Sequence, residues 1–378
     1  MRVVTCIEDL RQLAKKRVAR AIFDYVDCGS YSECTLRANR ADLELLTLRQ
    51  RVAIDVDRRS TRTTMAGQEV AMPVALAPIG LCGLNWADGE ILAARAAARF
   101  GVPFTLSTMS ICSIEDVAAA VDKPFWFQLY VMRDRGFAAS LIERAKKAKC
   151  GALVLTLDLQ VQGQRHRDIK NGLAVPPVLT WGTALDILRK PGWALNVLRG
   201  KRKSFGNLEG RIPDARSLST LSQWVAGQFD PTLSWKDVEW VKKHWGGKLI
   251  LKGILDPDDA KIAAGMGVDA IVVSNHGGRQ LDGAVSSIRA LPEIVQTINK
   301  RTEVWLDGGI RSGQDVLKAL ALGARATLVG RAFVYGLGAM GEAGVTRALE
   351  ILRAELDVTM ALCGIRDVKD ASPAILRA

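Results

Sequence analysis

Eight short, almost wholly apolar runs punctuate the chain, and segments with apolar residues at helical spacing separate them. The runs are 73–79 (PVALAPI), 104–108 (FTLST), 124–131 (PFWFQLYV), 152–158 (ALVLTLD), 249–253 (LILKG), 270–275 (AIVVSN), 304–308 (VWLDG) and 326–330 (ATLVG). Strands with one wet face alternate apolar and polar residues; continuous apolar runs belong to parallel strands covered on both faces. Between them, residues 90–100, 137–149, 256–266 and 313–322 carry the pattern of amphipathic helices. Alternating strand and helix implies a parallel sheet. Eight such units over roughly 250 residues predict an α/β fold closed as a (β/α)8 TIM barrel.

Two stretches stand outside this rhythm. Residues 1–70 precede the first run and predict an N-terminal helical cap. Runs four and five start nearly a hundred residues apart, and the insertion, 159–230, holds Pro176-Pro177 and many Gly, Ser and Asn. Loops this long are uncommon unless they carry function. The insertion reads as an excursion from one barrel face, part lid and part interaction surface. The whole of 1–378 therefore reads as one domain: a cap over 1–70, a barrel over 71–378, and the insertion within it.

Composition narrows the classes. With 48% apolar residues the chain can bury a large core. No stretch of 18 apolar residues predicts a membrane-spanning helix, and the early charges of MRVVTCIEDL do not suit a signal peptide. Seven cysteines without a CxxC, and three histidines outside ligand spacings, predict reduced thiols rather than a disulfide framework or zinc site. The net charge is +12, and residues 189–203 hold six Lys/Arg and no acid around Trp193, Leu195 and Val197. A solvated basic loop is the plain reading. Apolar side chains interleaved with positive charge also fit contact with a membrane surface through 185–205. Nothing in this pattern requires a nucleic-acid partner.

In a (β/α)8 barrel the C-terminal strand ends build the active site. Here they read Ala77-Pro78-Ile79-Gly80; Ser107-Thr108; Gln128 with Tyr130; Thr156 with Asp158; Lys252-Gly253; Ser274, His276 and Arg279; Asp307-Gly308-Gly309 with Arg311; and Gly330-Arg331. A lone Asp after a strand is more often a helix N-cap than a catalyst. Eight polar or glycine-rich ends together point to a site. The last two offer glycine backbone and arginine where such barrels bind phosphate, so a phosphate-bearing ligand is expected. The GxGxxG formed by Gly336 to Gly341 lacks the first strand-to-helix context of a dinucleotide site. It reads as close helix packing.

The motifs SNHGGRQLD, WFQLYVMRDRGF, LTLD, LKGILDP, LDGGIRSG and ALALGA…LVGRA, in this order over nearly the whole chain, resemble the FMN-dependent α-hydroxy acid dehydrogenase and oxidase family. YVDCGSYSECTLRANR, MPVALAPIGLCG, PFTLSTMSICSIEDVA and FDPTLSWKDVEW look like its quinone-linked L-lactate branch, with the (S)-mandelate branch a near second. The resemblance implies His276 as base and Asp158 as its partner. It implies Arg279 and Arg165 on the substrate carboxylate, and Tyr25 and Tyr130 as substrate hydrogen-bonders. FMN would lie against Ala77, Pro78, Ile79, Gly80, Ser107, Gln128, Thr156, Lys252, Ser274, His276, Gly277 and Arg279. Asp307, Gly308, Gly309, Arg311, Gly330 and Arg331 would hold its ribityl and phosphate end. Gly80, where oxidases of the family have alanine, favours a dehydrogenase with quinone as acceptor at the cytoplasmic face of the inner membrane. A homo-oligomer, a tetramer, is also implied.

The sequence departs from the family at His166, Gln160 and Gln162, which bears on substrate choice. The alternatives are a mandelate dehydrogenase, an oxygen-using oxidase, a biosynthetic FMN enzyme acting on a peptide-derived compound, and a non-enzymatic phosphate-binding barrel.

Overall fold

The computed structural model describes residues 3–173, 180–209, 224 and 227–377. All eight apolar runs are strands, β1 Val74–Leu76, β2 Thr105–Ser107, β3 Trp126–Leu129, β4 Ala152–Thr156, β5 Leu249–Ile254, β6 Ala270–Val273, β7 Glu303–Asp307 and β8 Ala326–Val329. Neighbours pair in parallel in the order β1-β8-β7-β6-β5-β4-β3-β2. The parallel bridge between Leu76 and Phe104, with Leu76 N–H donating to Pro103 O at 2.8 Å, brings β1 to β2 and completes the ring. The four predicted helices appear as Gly89–Phe100, Arg135–Lys147, Pro257–Gly265 and Gly313–Ala321.

Two cores follow from the strands' alternation. Outward side chains meet the helices in one large cluster. Inward ones form a second, in which Trp126 and Trp305 stack at 5.4 Å between Ala, Val, Ile and Leu side chains. Such a barrel is filled, not a pore. An antiparallel hairpin, Thr63–Met65 with Gln68–Val70, adds Met65, Ala66 and Val70 to this inner core. It is anchored by Ala66 N–H donating to Glu303 at the start of β7, so it plugs the N-terminal mouth and leaves function to the other.

The cap consists of α1 Ile7–Arg17, α2 Arg20–Asp27 and α3 Cys34–Leu45. Asp27 at the end of α2 accepts from Arg11 at 2.7 and 3.0 Å and from the Tyr335 hydroxyl at 2.7 Å. The α3 residue Asn39 exchanges two hydrogen bonds with Asn275 at 2.9 and 2.8 Å, directly after β6. At Gly309 (φ +84°) any Cβ would lie 2.3 Å from Asn39 O, so only glycine lets α3 sit on the β7 loop. These ties set α2 over the strand ends.

The insertion is not a structureless loop where it is described. It contains the helices His166–Lys170, Trp181–Leu188 and Pro191–Arg199; Pro176-Pro177 lies outside the described residues. Its basic stretch is also less free than the sequence implies. Lys190 Nζ donates to the carbonyls of Val18 and Lys15, and Lys203 Nζ caps Leu198 and Gly200. Lys201 and Arg202 both pair with Asp116. Among the described residues, Arg189, Arg199 and Lys203 have no acidic partner, and of these Lys203 is held by carbonyls. The GxGxxG stretch begins inside the helix Arg331–Met340, where a Cβ on Gly336 would lie 2.2 Å from Gly344 O of the next helix. These glycines permit helix contact, as expected.

Candidate active site

One cavity opens at the C-terminal strand ends, between the barrel, α2 and the insertion. Of the predicted site residues, Tyr25, Ala77, Pro78, Ile79, Gly80, Ser107, Tyr130, Arg165, Lys252, His276, Gly277, Arg279, Asp307, Gly308, Gly309, Arg311, Gly330 and Arg331 line it. Gln128, Thr156, Asp158 and Ser274 do not; Gln128, Asp158 and Ser274 bond to the lining side chains of Ser107, His276 and Lys252.

His276 sits three residues past β6 in the left-handed region, φ 57°, an uncommon conformation for a side chain of its size. Its N–H donates to Ser274 Oγ at 3.1 Å, which holds the turn. Its Nδ1 lies 2.9 Å from Asp158 Oδ1, from the end of β4. A proton on Nδ1 for that bond leaves the Nε2 lone pair free. Asp158 fits there because β5 bulges at Gly253 (φ +100°); a Cβ at Gly253 would lie 2.6 Å from Asp158 Cγ. Burial pushes the His276 pKa down, and Asp158 only partly opposes it, so the imidazole is held neutral. Burial alone would raise Asp158, but its interaction with His276, hydrogen bond included, and the Lys252 charge outweigh it and the carboxylate is favoured.

Behind this pair runs a second polar chain. Lys252 Nζ lies 2.9 Å from Asp307 Oδ2 and donates to Ser274 Oγ at 3.0 Å; Ser274 donates to Asp307 at 2.8 Å. Burial opposes the Lys252 charge, but Asp307 and Asp158 overcome it and raise the pKa, so a cation is fixed in the cavity wall.

Arg165 and Arg279 flank the Tyr25 ring, with guanidinium carbons 5.4 and 4.9 Å from its centroid. Arg279 Nη1 donates to the carbonyls of Tyr25 and Cys28 at 2.5 and 3.1 Å. Arg165 Nε pairs with Asp168 Oδ2 at 3.2 Å. Burial, then the neighbouring Arg279 charge, depresses the Arg165 pKa. Two adjacent guanidinium groups, of which among the described residues only Arg165 is paired with an acid, form a receptor for an anion. The sequence reading missed Asp168, although its place three residues after Arg165 on one helix was visible. His166 leaves this cluster and sets its ring against Tyr31, centroids 5.7 Å apart.

The residues fit FMN. Gln128 Oε1 accepts from Ser107 Oγ at 3.1 Å, while Gln128 Nε2 and Thr156 Oγ1 are buried without a partner among the described residues. Orphaned buried polar atoms call for a ligand or water. Lys252 offers a positive charge to an electron-accepting ring. At the β7 and β8 ends, Arg311 faces the cavity beside glycine backbone. Arg331 differs from expectation in detail. Its guanidinium already donates to the carbonyls of Val26, Gly277 and Cys28 at 2.8, 3.0 and 2.8 Å. It clamps α2 to the His276 turn, and burial pulls its pKa down to about 10.

Comparison with known proteins agrees with this geometry. A family model described as FMN-dependent dehydrogenase matches residues 14–378. The chain is 47% identical over 375 residues to the L-lactate dehydrogenase of Caulobacter sp. (strain K31), covering 99% of this chain and 98% of that one. It is 46% identical to that of Pseudomonas syringae pv. syringae (strain B728a), with the same coverage. Among solved structures, the monotopic membrane protein (S)-mandelate dehydrogenase superposes with a TM-score of 0.94 at 37% identity over 100% of both chains. The match begins within α1 and takes in every barrel strand; the chain therefore belongs to the FMN-dependent dehydrogenase family, and FMN is its cofactor.

Proposed function

We propose that the protein oxidises an L-2-hydroxy acid, L-lactate to pyruvate, and passes the electrons to a quinone at the cytoplasmic face of a membrane. The observation that carries the chemistry is the His276 imidazole, held 2.9 Å from Asp158, in one cavity with the guanidinium groups of Arg165 and Arg279. The substrate carboxylate bridges the two guanidinium groups. Tyr25 and Tyr130 hydrogen-bond the substrate and orient its 2-hydroxyl. His276 Nε2 takes a proton from the substrate, and Asp158 stabilises the imidazolium that forms. Bound FMN supplies the two-electron sink. Lys252 supplies positive charge beside it.

Lactate rests on the higher identity to L-lactate dehydrogenases; the (S)-mandelate fold neighbour keeps mandelate as the second reading. Anaerobic flavin bleaching with both acids separates them: faster bleaching by L-lactate is expected, and faster bleaching by (S)-mandelate reverses the assignment. Little hydrogen peroxide per turnover is expected in air. Stoichiometric peroxide would make the protein an oxidase.

The pH dependence has a defined sign. Because His276 is depressed below the ordinary imidazole value of 6.5, its basic form is already present at neutral pH. kcat/KM is expected to hold steady toward neutrality and to fall only as pH drops through that lowered value. An acid limb centred above 6.5 would contradict the assignment.

Membrane contact is supported by the insertion. Trp181, Leu185 and Leu188, spaced for one helix face, are exposed, as are Leu195 and Leu198 on the next helix. Arg189 and Arg199 lie at their C-terminal ends. No described helix is long and apolar enough to cross a bilayer, so the contact is peripheral. The seven free thiols suit a reducing compartment. Replacing Leu185, Leu188, Leu195 and Leu198 with serine is expected to release the protein from sedimenting anionic vesicles while flavin bleaching continues. Unchanged sedimentation would remove this surface from consideration. Point changes are preferable to deletion, because Trp193 and Phe205 of the same segment are buried.

A further inference from the structure

Part of the cavity wall offers no polar side chain that a small hydroxy acid could use. Beyond Gly80, its lining turns apolar: Ile22 of α2, Leu81 and Leu84 after β1, Met109 after β2, and Leu173 and Phe205 of the insertion. No charged side chain is among these six. A lactate, small and anionic, gains nothing there, because its partners are the guanidinium groups beside Tyr25.

The same wall is built from the elements that carry the exposed apolar helices. Trp193 Nε1 donates to Leu84 O at 2.9 Å, and Ala87 N–H donates to Asn196 Oδ1 at 3.0 Å. Arg20 N–H, at the start of the helix bearing Ile22, donates to Asp186 of the helix Trp181–Leu188 at 2.5 Å. On the far side, Asn207 Nδ2 donates to Ser107 O, Thr108 O and Ser110 Oγ at 3.2, 3.3 and 3.0 Å, which fixes Phe205 beside the β2 loop. Leu81 N–H donates to Met109 O at 3.0 Å, joining the two loops. The helices that expose Trp181, Leu185, Leu188, Leu195 and Leu198 line none of the cavity themselves, but these bonds fix them directly against the α2 and β1-loop segments that supply Ile22, Leu81 and Leu84 to its apolar wall.

We propose that this arm, walled by Ile22, Leu81, Leu84, Met109, Leu173 and Phe205, is the binding site of the quinone and receives it from the membrane side. The proposal rests on the quinone-reducing function argued above and adds where the acceptor sits. The occupant is a two-electron acceptor with an apolar tail: its ring needs edge access to the flavin end of the cavity, and its tail needs a dry wall leading toward exposed apolar helices. The balance closes without another reactant. The hydroxy acid loses two electrons and two protons to become the keto acid, and the quinone gains two of each to become the quinol. Substrate and acceptor then reach the flavin from different parts of one cavity, which lets a soluble acid and a lipid-borne oxidant share it.

The test uses the FMN-loaded full-length protein and an azido-substituted benzoquinone with a short isoprenoid tail, photolysed anaerobically and mapped by peptide mass spectrometry. Label is expected on the peptides holding Leu81 to Leu84 and Phe205, and excess unmodified quinone should remove it. Label confined to other peptides overturns the proposal. Leu84→Trp, which fills the arm, is expected to slow reoxidation of the reduced flavin by the same quinone at least tenfold. Bleaching by L-lactate should stay within about twofold. Equal quinone rates in Leu84→Trp and the unaltered protein reject the arm while leaving the quinone reading intact. If the unaltered protein reduces oxygen or a dye but no quinone, both fall. Should Leu84→Trp fold without flavin, the labelling pattern decides alone.

Discussion

Replacing His276 with alanine is expected to leave a yellow, folded protein whose flavin is bleached by L-lactate about 10³- to 10⁴-fold more slowly. FMN binding should survive because other groups proposed to hold it remain in the cavity wall: Lys252, Arg311, and the glycine backbone after β7 and β8. What disappears is the one neutral, oriented base in the cavity. Asp158 cannot replace it. Its carboxylate stands behind the imidazole, and the same surroundings that favour its charged form make it a poor base near neutrality. Rapid-mixing absorbance at the flavin band, with and without oxygen, measures the effect. Reduction within tenfold of the unaltered rate would require another base.

Arg279→Lys is expected to lower kcat/KM for the hydroxy acid by about 100-fold, roughly 2.7 kcal/mol. The charge is kept, so a purely electrostatic role predicts little change. The geometry predicts more. Arg279 uses one nitrogen on the carbonyls of Tyr25 and Cys28, and the rest of its planar fork is left to meet a carboxylate side-on. A lysine ammonium cannot do both. Most of the loss should appear in KM, since the anion is bound before and during the reaction. A thermal melt controls for loosening of α2. An unchanged KM with a normal melting temperature would move the carboxylate contact to Arg165 alone.

Much of this site could be read from the chain because of how parallel barrels are built. A strand buried on both faces must be apolar until it ends, so the first polar residue after each run marks the rim. Asp158, Lys252, Ser274, His276 and Asp307 were found that way, and four of these five groups are linked in the structure through Ser274, directly or by its bond to the His276 backbone. The GxGxxG stretch could be set aside on context alone, and its packing against Gly344 supplies the reason. The insertion was harder. It has no strand rhythm, and the two short helices take their place from contacts with α2 and the β1 loop rather than from their own pattern.

Local sequence alone determined the strand count, the barrel class and which residue types reach the rim, because burial on two faces leaves a mark within each run of a few residues. Only the tertiary structure decided which charges are free. Lys201 and Arg202 both pair with Asp116, and Arg331 donates to carbonyls 54 to 305 positions away in the chain. Whether a cation waits for a ligand or already has a partner depends on groups that folding alone brings within 3 Å, and no spacing along the chain records that distance.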